Sequence, residues 1–413
     1  MCNSGIVQVM RIRNYRLFAV GQAVSNTGSW MQRIAQDWLV LQLTGNSGLA
    51  LGVTTVLQSL PVLLFGMWGG VVADRFPKRK VLIGAQVALS VPAGTLGVLT
   101  ATGVAMPWHV YTMAFCLGMA TVFDQPARQS FVVEMTGQDR LPAAVSVNSL
   151  IYNGARLIGP SLAGMAIAVF GLAVGFLLNA LSYLVALAAL ALMRPAALDE
   201  LPACAGKRRL RAGLAHVSAR VDLLLPVVIM GITSAFGQSM QVVLPLLAKQ
   251  DFSSNAGGYG LLVTAMAAGA VTGALCFTDR VRRPRNAVLL SSAVTLGALE
   301  VLTAVAPSYW ICFAVLVAAG TATLVTNISA NAAVNLRVDP AMRGRAMALF
   351  IVVLLTSNSL GALLLGAIAE SFSPTTALVF GGVTVIVASP TAAVLLLGRA
   401  GIPLRTLGRA EQH

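Results

Sequence analysis

Residues 66–85 read Gly66-Met67-Trp68-Gly69-Gly70-Val71-Val72-Ala73-Asp74-Arg75-Phe76-Pro77-Lys78-Arg79-Lys80-Val81-Leu82-Ile83-Gly84-Ala85. An apolar run ends at Ala73, five charged residues collect between 74 and 80, and a second apolar run begins at Val81. The flanking runs cover about 49–73 and 81–103. Each meets the roughly 20 apolar residues that a helix needs to cross a hydrocarbon core. A backbone in lipid must close its own hydrogen bonds, so both runs are expected to be helices. The alternation continues in both directions, with further apolar segments at about 15–42, 108–127, 143–169, 172–193, 222–247, 258–278, 287–305, 309–330, 345–370 and 376–397. That makes twelve spans.

Numbering the intervals alternately puts all but three of the 28 Lys and Arg residues on one side. They occupy the N-terminal arm (Arg11, Arg13, Arg16), the loops 74–80, 128–142, 194–221, 279–286 and 331–345, and the tail. The exceptions are Lys249 on the opposite face and Arg33 and Arg156 inside predicted helices. Such an excess marks the cytoplasmic side, so both termini are expected inside a bacterial inner membrane. Only 10% of the residues are charged and 57% are hydrophobic, unlike a soluble domain with roughly 25% charged residues. The net charge of +14 therefore points to membrane topology and anionic lipid rather than nucleic acid. The first apolar run is too long for a signal peptide and lacks a cleavage motif. Five scattered cysteines without a C-x-x-C spacing argue against a disulfide framework.

The longest hydrophilic connection, 194–221, carries Lys207-Arg208-Arg209-Leu210-Arg211 and divides the segments six and six. The expected organisation is an N-terminal bundle over 1–193, this loop, a C-terminal bundle over 222–398 and a tail over 399–413. The halves echo each other. Asp74-Arg75 with Arg79 recurs as Asp279-Arg280 with Arg283, Leu51-Gly52 as Tyr259-Gly260, and Gly159-x4-Gly164 as Gly361-x4-Gly366. Matches in register argue for a duplicated unit. The fold class that follows is all-α and integral to the membrane, with two pseudo-symmetric six-helix bundles around a central cavity.

Polar residues inside the segments mark the helices that line such a cavity. The first carries Gln22, Asn26, Ser29, Arg33 and Asp37 three or four apart, hence on one face, with Gln32 and Gln36 widening the stripe. The fourth has Thr121, Asp124 and Gln125, the seventh Ser234, Gln238 and Gln241, and the tenth Thr323, Asn327 and Asn331. The third and twelfth are more apolar and are expected to face lipid. Glu300, near the outer end of the ninth, is expected to snorkel to the interface.

The segment 70–79 closely resembles the G-x-x-x-D-R-x-G-R-R signature of the major facilitator superfamily, with Pro77 in place of the second glycine. Gly154-Ala155-Arg156-Leu157-Ile158-Gly159-Pro160-Ser161-Leu162-Ala163-Gly164 resembles the motif that marks proton antiporters within it. Trp38–Gly45, Phe123–Gln129, Asn148-Ser149 with Ala155-Arg156, and Arg343-Gly344-Arg345 are similar to its drug and siderophore exporters. That branch includes the enterobactin exporter and macrolide efflux proteins, or transmembrane secretion effectors. The resemblance implies secondary active transport of a small molecule by alternating access, without a cofactor.

Several roles follow as expectations. Gly70, Asp74, Arg75, Arg79 and Arg128, with Asp279 and Arg280 in the second copy, form a cytoplasmic gate by charge-assisted bonds, with Arg128 as a partner for Asp74. Topology alone is the bland alternative for these charges. Gly154, Gly159, Pro160 and Gly164 allow close helix approach and a bend. Arg156, which stands at a depth unfavourable by roughly 3 kcal/mol for a cation, should face the cavity and find an acid, a carbonyl or the cargo. Asp37 is the candidate proton-coupling carboxylate, since burial disfavours its charge while Arg33 favours it. A static Arg33–Asp37 pair is the alternative. Gln22, Asn26, Gln36, Asp124, Arg156, Gln238, Gln241 and Asn327 are candidate cavity residues.

The histidines His109, His216 and His413 lie far apart, without metal-ligand spacing. The sequence holds neither a phosphate loop nor a nucleophile elbow. An enzyme is therefore not expected. The reading is a monomeric, proton-coupled exporter of small amphipathic or hydrophobic molecules, drug-like or siderophore-like, in contact with lipid. An ion-coupled importer and a non-transporting sensor or scaffold stay open.

Overall fold

The computed structural model describes residues 2–194, 220–281, 286–339 and 342–399. The run 207–211, Arg283 and the tail after Arg399 lie outside the described residues, as do the side chains of Asp279 and Arg280. All long elements among the described residues are helices: α1 (Cys2–Arg11), α2 (Arg13–Leu43), α3 (Gly48–Arg75), α4 (Lys78–Ala101), α5 (Pro107–Phe170) and α6 (Ala173–Ala191). After the inter-bundle connection come α7 (Val221–Ile232), a π-helical segment (Thr233–Gln238), α8 (Met240–Gln250), α9 (Ala256–Val281), α10 (Asn286–Ala304), α11 (Tyr309–Arg337), α12 (Arg343–Ser371) and α13 (Pro374–Arg399).

These elements make twelve membrane helices, because α5 holds two and α7, the π-segment and α8 form one. Nine stretches among the described residues have the length and hydropathy of a span. The first helix and the two halves of α5 fall below that mark because polar side chains interrupt them. On α4 the residues Val87, Val91 and Val98 point outwards, and on α13 Val383, Val387 and Val394 do so. Apolar stripes of this kind are at home in lipid rather than water.

Two boundaries differ from the sequence reading. The predicted loop 128–142 is helical and continuous with its neighbours, interrupted only at Gly137, where φ is 69°. Glycine takes that conformation without steric strain. The region stays helical because it is amphipathic: Phe131, Val132 and Met135 pack with Val9, Tyr15 and Phe18 of α1 and α2. Its polar side holds Glu134 at 2.8 Å from Lys78. Likewise α11 continues past 330, and Arg337 in its last turn donates to the Asp222 carbonyl at 3.1 Å and to Asn286 Oδ1 at 2.9 Å.

The chain packs as two compact units. The first comprises 1–45, 57–206 and 254–264; the second comprises 46–56, 207–253 and 265–413. Within the first, the opening of α9 lies against α5: a Cβ on Gly164 would stand 2.7 Å from Gly257 Cα. Ser161 and Thr264 hydroxyls are 2.7 Å apart. Within the second, the opening of α3 lies against α12, where a Cβ on Gly52 would stand 2.7 Å from the Ala362 carbonyl. The glycine pairs that the sequence shows as echoes of one another are thus the contact points inside each unit.

The second unit also joins α10 to α13 through Gly297 and Gly382, since a Cβ on Gly297 would lie 2.6 Å from the Gly382 carbonyl. Gly297→Val should force these helices apart. We expect it to destabilise the protein by about 1–3 kcal/mol, the usual effect of overpacking, read as a lower midpoint of thermal unfolding in detergent.

Candidate functional site

Helix α2 is the first unit's polar axis. One turn after another brings Gln22, Asn26, Ser29 and Arg33 to the same side, and α3 to α6 close around them. The result is a cavity of about 960 Å³. Of the expected cavity residues, Gln22, Asn26, Gln36 and Asp124 line it together with Arg33. Gln238 and Asn327 belong to the second unit, where the Gln238 Nε2 donates to Asn327 Oδ1 at 3.1 Å. Gln241 is half-buried on α8.

Hydrogen bonds fix the cavity wall. Asn179 of α6 donates to Gln32 Oε1 at 2.6 Å, and the Ser29 and Tyr183 hydroxyls are 3.1 Å apart. Asp124 accepts from Gln86 Nε2 at 3.0 Å and from Arg128 Nε at 3.0 Å. Gln86, Asn179 and Tyr183 were not among the sequence candidates. A lone amide in the otherwise apolar α4 and α6 is the signal that could have found the first two.

These bonds also correct the expected gate pairing. Arg128 is engaged by Asp124 on its own helix rather than by Asp74. Asp74 and Arg75 are exposed. Arg79 is anchored elsewhere: its guanidinium donates to the Leu190 and Ala191 carbonyls at 2.9 Å each. That places a cation on the last carbonyls of α6, where helix termini favour positive charge. A Cβ on Gly70 would meet nothing within 4 Å.

The two intramembrane arginines share one aromatic ring. The Arg33 guanidinium carbon lies 5.5 Å from the Trp30 centroid and that of Arg156 lies 5.6 Å from it. Tyr152 meets the same indole edge-on at 6.3 Å. Among the described residues Arg156 has neither protein partner expected for it, an acid or a carbonyl, and it is not one of the residues that line the cavity. Its Nε is buried without a hydrogen-bond partner among the described residues, and the ring supplies the attraction instead, as cation–π contacts do. A Cβ on Gly159 would stand 2.6 Å from Trp30 Cβ. That glycine lets α5 come close enough to place Arg156 there. At Gly154 a Cβ would meet nothing.

No ion pair joins Arg33 to Asp37 among the described residues. Asp37 Oδ2 instead accepts from the Tyr259 hydroxyl at 2.7 Å, and Tyr259 stacks on Trp38 with centroids 6.5 Å apart. Tyr259 stands on the first turn of α9, held against α5 by Gly260, whose Cβ position abuts the Pro160 carbonyl. Sequence separation hides this partner. Glu300 departs further from expectation: rather than snorkelling it is fully buried on α10, because Gly381 of α13 leaves room for its carboxyl.

The profile of the transmembrane secretion effector family, MFS_3, matches residues 5–400. The chain belongs to that family. It is thus a transporter of the major facilitator superfamily and not an enzyme. It is 27% identical to the staphyloferrin A transporter of Staphylococcus aureus over 60% of this chain and 62% of that protein. It is 25% identical to macrolide efflux protein A of Streptococcus pyogenes over 45% of each. With the multidrug efflux pump Tap of Mycobacterium tuberculosis it shares 24% identity over 86% of each chain. The aligned stretch therefore spans less than two thirds of the first two relatives. Among solved structures, a POT family transporter in complex with 5-aminolevulinic acid aligns with a TM-score of 0.73 at 13% identity, covering 94% of this chain and 96% of that one. A bacterial homologue of the lysosomal transporter Spinster aligns with a TM-score of 0.69 at 14% identity, covering 93% and 95%. These likenesses establish the fold of this secretion effector.

Arg156→Lys keeps the charge but loses the planar group that lies over Trp30. A contact of this type contributes about 0.5–2 kcal/mol. Transport in membrane vesicles should fall several-fold at unchanged protein abundance. A wild-type rate would leave Arg156 without a part in transport.

Proposed function

We propose that this secretion effector exports small amphipathic or hydrophobic molecules in exchange for protons. It works as a monomer by alternating access of two six-helix halves, 1–193 and 222–398. The basic loops and both termini face the cytoplasm of a bacterium, by the positive-inside rule. Export is favoured by the macrolide efflux protein and the multidrug efflux pump among its relatives. The observation that carries the coupling is the bond between Asp37 and Tyr259. It holds an acid one turn beyond the cavity-lining Arg33, with a partner on α9, beside the helix contact made by Gly164 and Gly257.

An ionised Asp37 accepts the Tyr259 hydroxyl strongly, since bonds to charged acceptors are the stronger class. When the acid binds a proton, that bond weakens and the hold of α2 on the first turn of α9 loosens. Arg33, exposed in the cavity one turn away, is a counter-charge on the same helix. A cavity lined by amides, hydroxyls and apolar side chains suits a cargo with both kinds of surface.

Asp37→Asn, assayed in proteoliposomes, should abolish uphill movement of a transported dye driven by a pH gradient, while downhill exchange of the same dye persists. Full gradient-driven transport by that variant removes Asp37 from the coupling. At the basic joint between α3 and α4, the exposed Asp74 is assigned to the gate. Asp74→Asn should lower turnover several-fold without reducing the amount of inserted protein. An unchanged turnover would reduce the role of Asp74 to topology.

A further inference from the structure

Glu300 is 0% exposed. Neither of its carboxyl oxygens has a hydrogen-bond partner among the described residues. An ionised carboxylate is strongly disfavoured in such a place unless a cation or several donors surround it. The helices packed against α10 are α13, α11 and α7, together with the π-segment. Their charged groups stand at the ends: Arg399 on α13, Arg337 on α11 and Asp222 on α7. Tyr309 and Cys312 on α11 are the other titratable groups on these helices. Nothing near it among the described residues balances a negative charge, and a carboxyl in such a place is accommodated with its proton on.

A neutral acid carries an O–H that needs an acceptor, and the π-segment provides one. In an i→i+5 turn the backbone shifts its hydrogen-bond register, and here the Ser234 carbonyl accepts the Ser239 hydroxyl at 3.2 Å, while the Phe236 carbonyl faces Gly381. Thr233–Gln238 is such a turn. A Cβ on Gly381 would stand 2.8 Å from Glu300 Oε1 and 3.2 Å from the Phe236 carbonyl oxygen. The two oxygens border one gap that glycine leaves open. Phe236 and Phe380 rings, 6.1 Å apart and edge to face, pack beside it. A carboxyl that carries a proton can turn its O–H across this gap toward the Phe236 carbonyl.

We propose that Glu300 is a proton-binding site of the second unit, an acid whose hydrogen is directed at the backbone of the π-segment, and that its proton is exchanged when that segment changes register. If the segment relaxes to an α-helix, the Phe236 carbonyl moves off the Gly381 gap and the acid loses its acceptor. The proton then passes to water and the carboxylate remains. The same change would turn Gln238, at the end of the segment, away from Asn327. The exchange rests on the transport reading above; the bound proton does not, and it is independent of Asp37.

The test uses the purified, full-length protein in lipid and infrared spectroscopy of the carbonyl stretch of protonated acids. Glu300→Gln should remove one such band completely at neutral pH, whereas Asp37→Asn should leave that band in place. Gly381→Ala keeps the acid but fills its gap, and should shift the band. It also serves if Glu300→Gln does not fold. A Glu300→Gln spectrum that retains every band, or an unshifted band in Gly381→Ala, overturns the site. In proteoliposomes Glu300→Gln should change the dependence of transport on pH several-fold. A wild-type profile overturns the exchange. Gradient-driven transport by Asp37→Asn would overturn the coupling role of Asp37 and leave the infrared result for Glu300 untouched.

Discussion

A charge or strong dipole inside a hydrocarbon slab must be hydrated, paired or neutralised. Helix α2 carries the heaviest load of such groups in the chain, and much of the first unit is arranged to meet it. Gln32 is satisfied by Asn179, Ser29 by Tyr183 and Asp37 by Tyr259. Arg33 reaches the cavity and Trp30. Two of these partners stand on α6, one on α9 and one on α2 itself, so the polar stripe of α2 requires α6 and the start of α9 to gather beside it. A cavity forms because water, unlike lipid, can finish what the side chains leave incomplete.

The glycines supply the complementary constraint. Helices in lipid gain little from hydrophobic burial against each other and rely on close packing. Gly159 brings α5 onto Trp30, and Gly164 brings the start of α9 onto α5. In the second unit Gly52 and Gly366 join α3 to α12 in the same manner. Close approach is what puts Tyr259 within hydrogen-bond distance of Asp37. Small residues with no chemistry of their own thereby set the geometry of the reactive ones.

Span positions were legible in the sequence because they depend on hydrophobic length, a local quantity. The stripe of α2 was legible for a similar reason, since a spacing of three or four residues fixes a face. The partners were not. Tyr259 stands far along the chain from Asp37, and no local pattern announces that they meet. Arg156 was expected to meet an acid, a carbonyl or the cargo, but an indole already bordered by Arg33 was the available neighbour. Glu300 was expected at the interface because depth was judged from its own helix, whereas its burial depends on Gly381 of another. The helical 128–142 misled for the opposite reason: a charged stretch reads as a loop unless its buried contacts, Phe131 and Met135, are weighed.

Water at the α2 stripe is the most direct test of this account. In a background with Cys2, Cys116, Cys204, Cys276 and Cys312 replaced by serine, Asn26→Cys and Val91→Cys can each be exposed to a membrane-impermeant maleimide in vesicles. Asn26 lines the cavity, while Val91 lies on the outward stripe of α4. The account predicts rapid labelling at position 26 and almost none at position 91. Labelling at position 91 with none at position 26 would mean that the α2 stripe is buried away from water, and it would contradict the account.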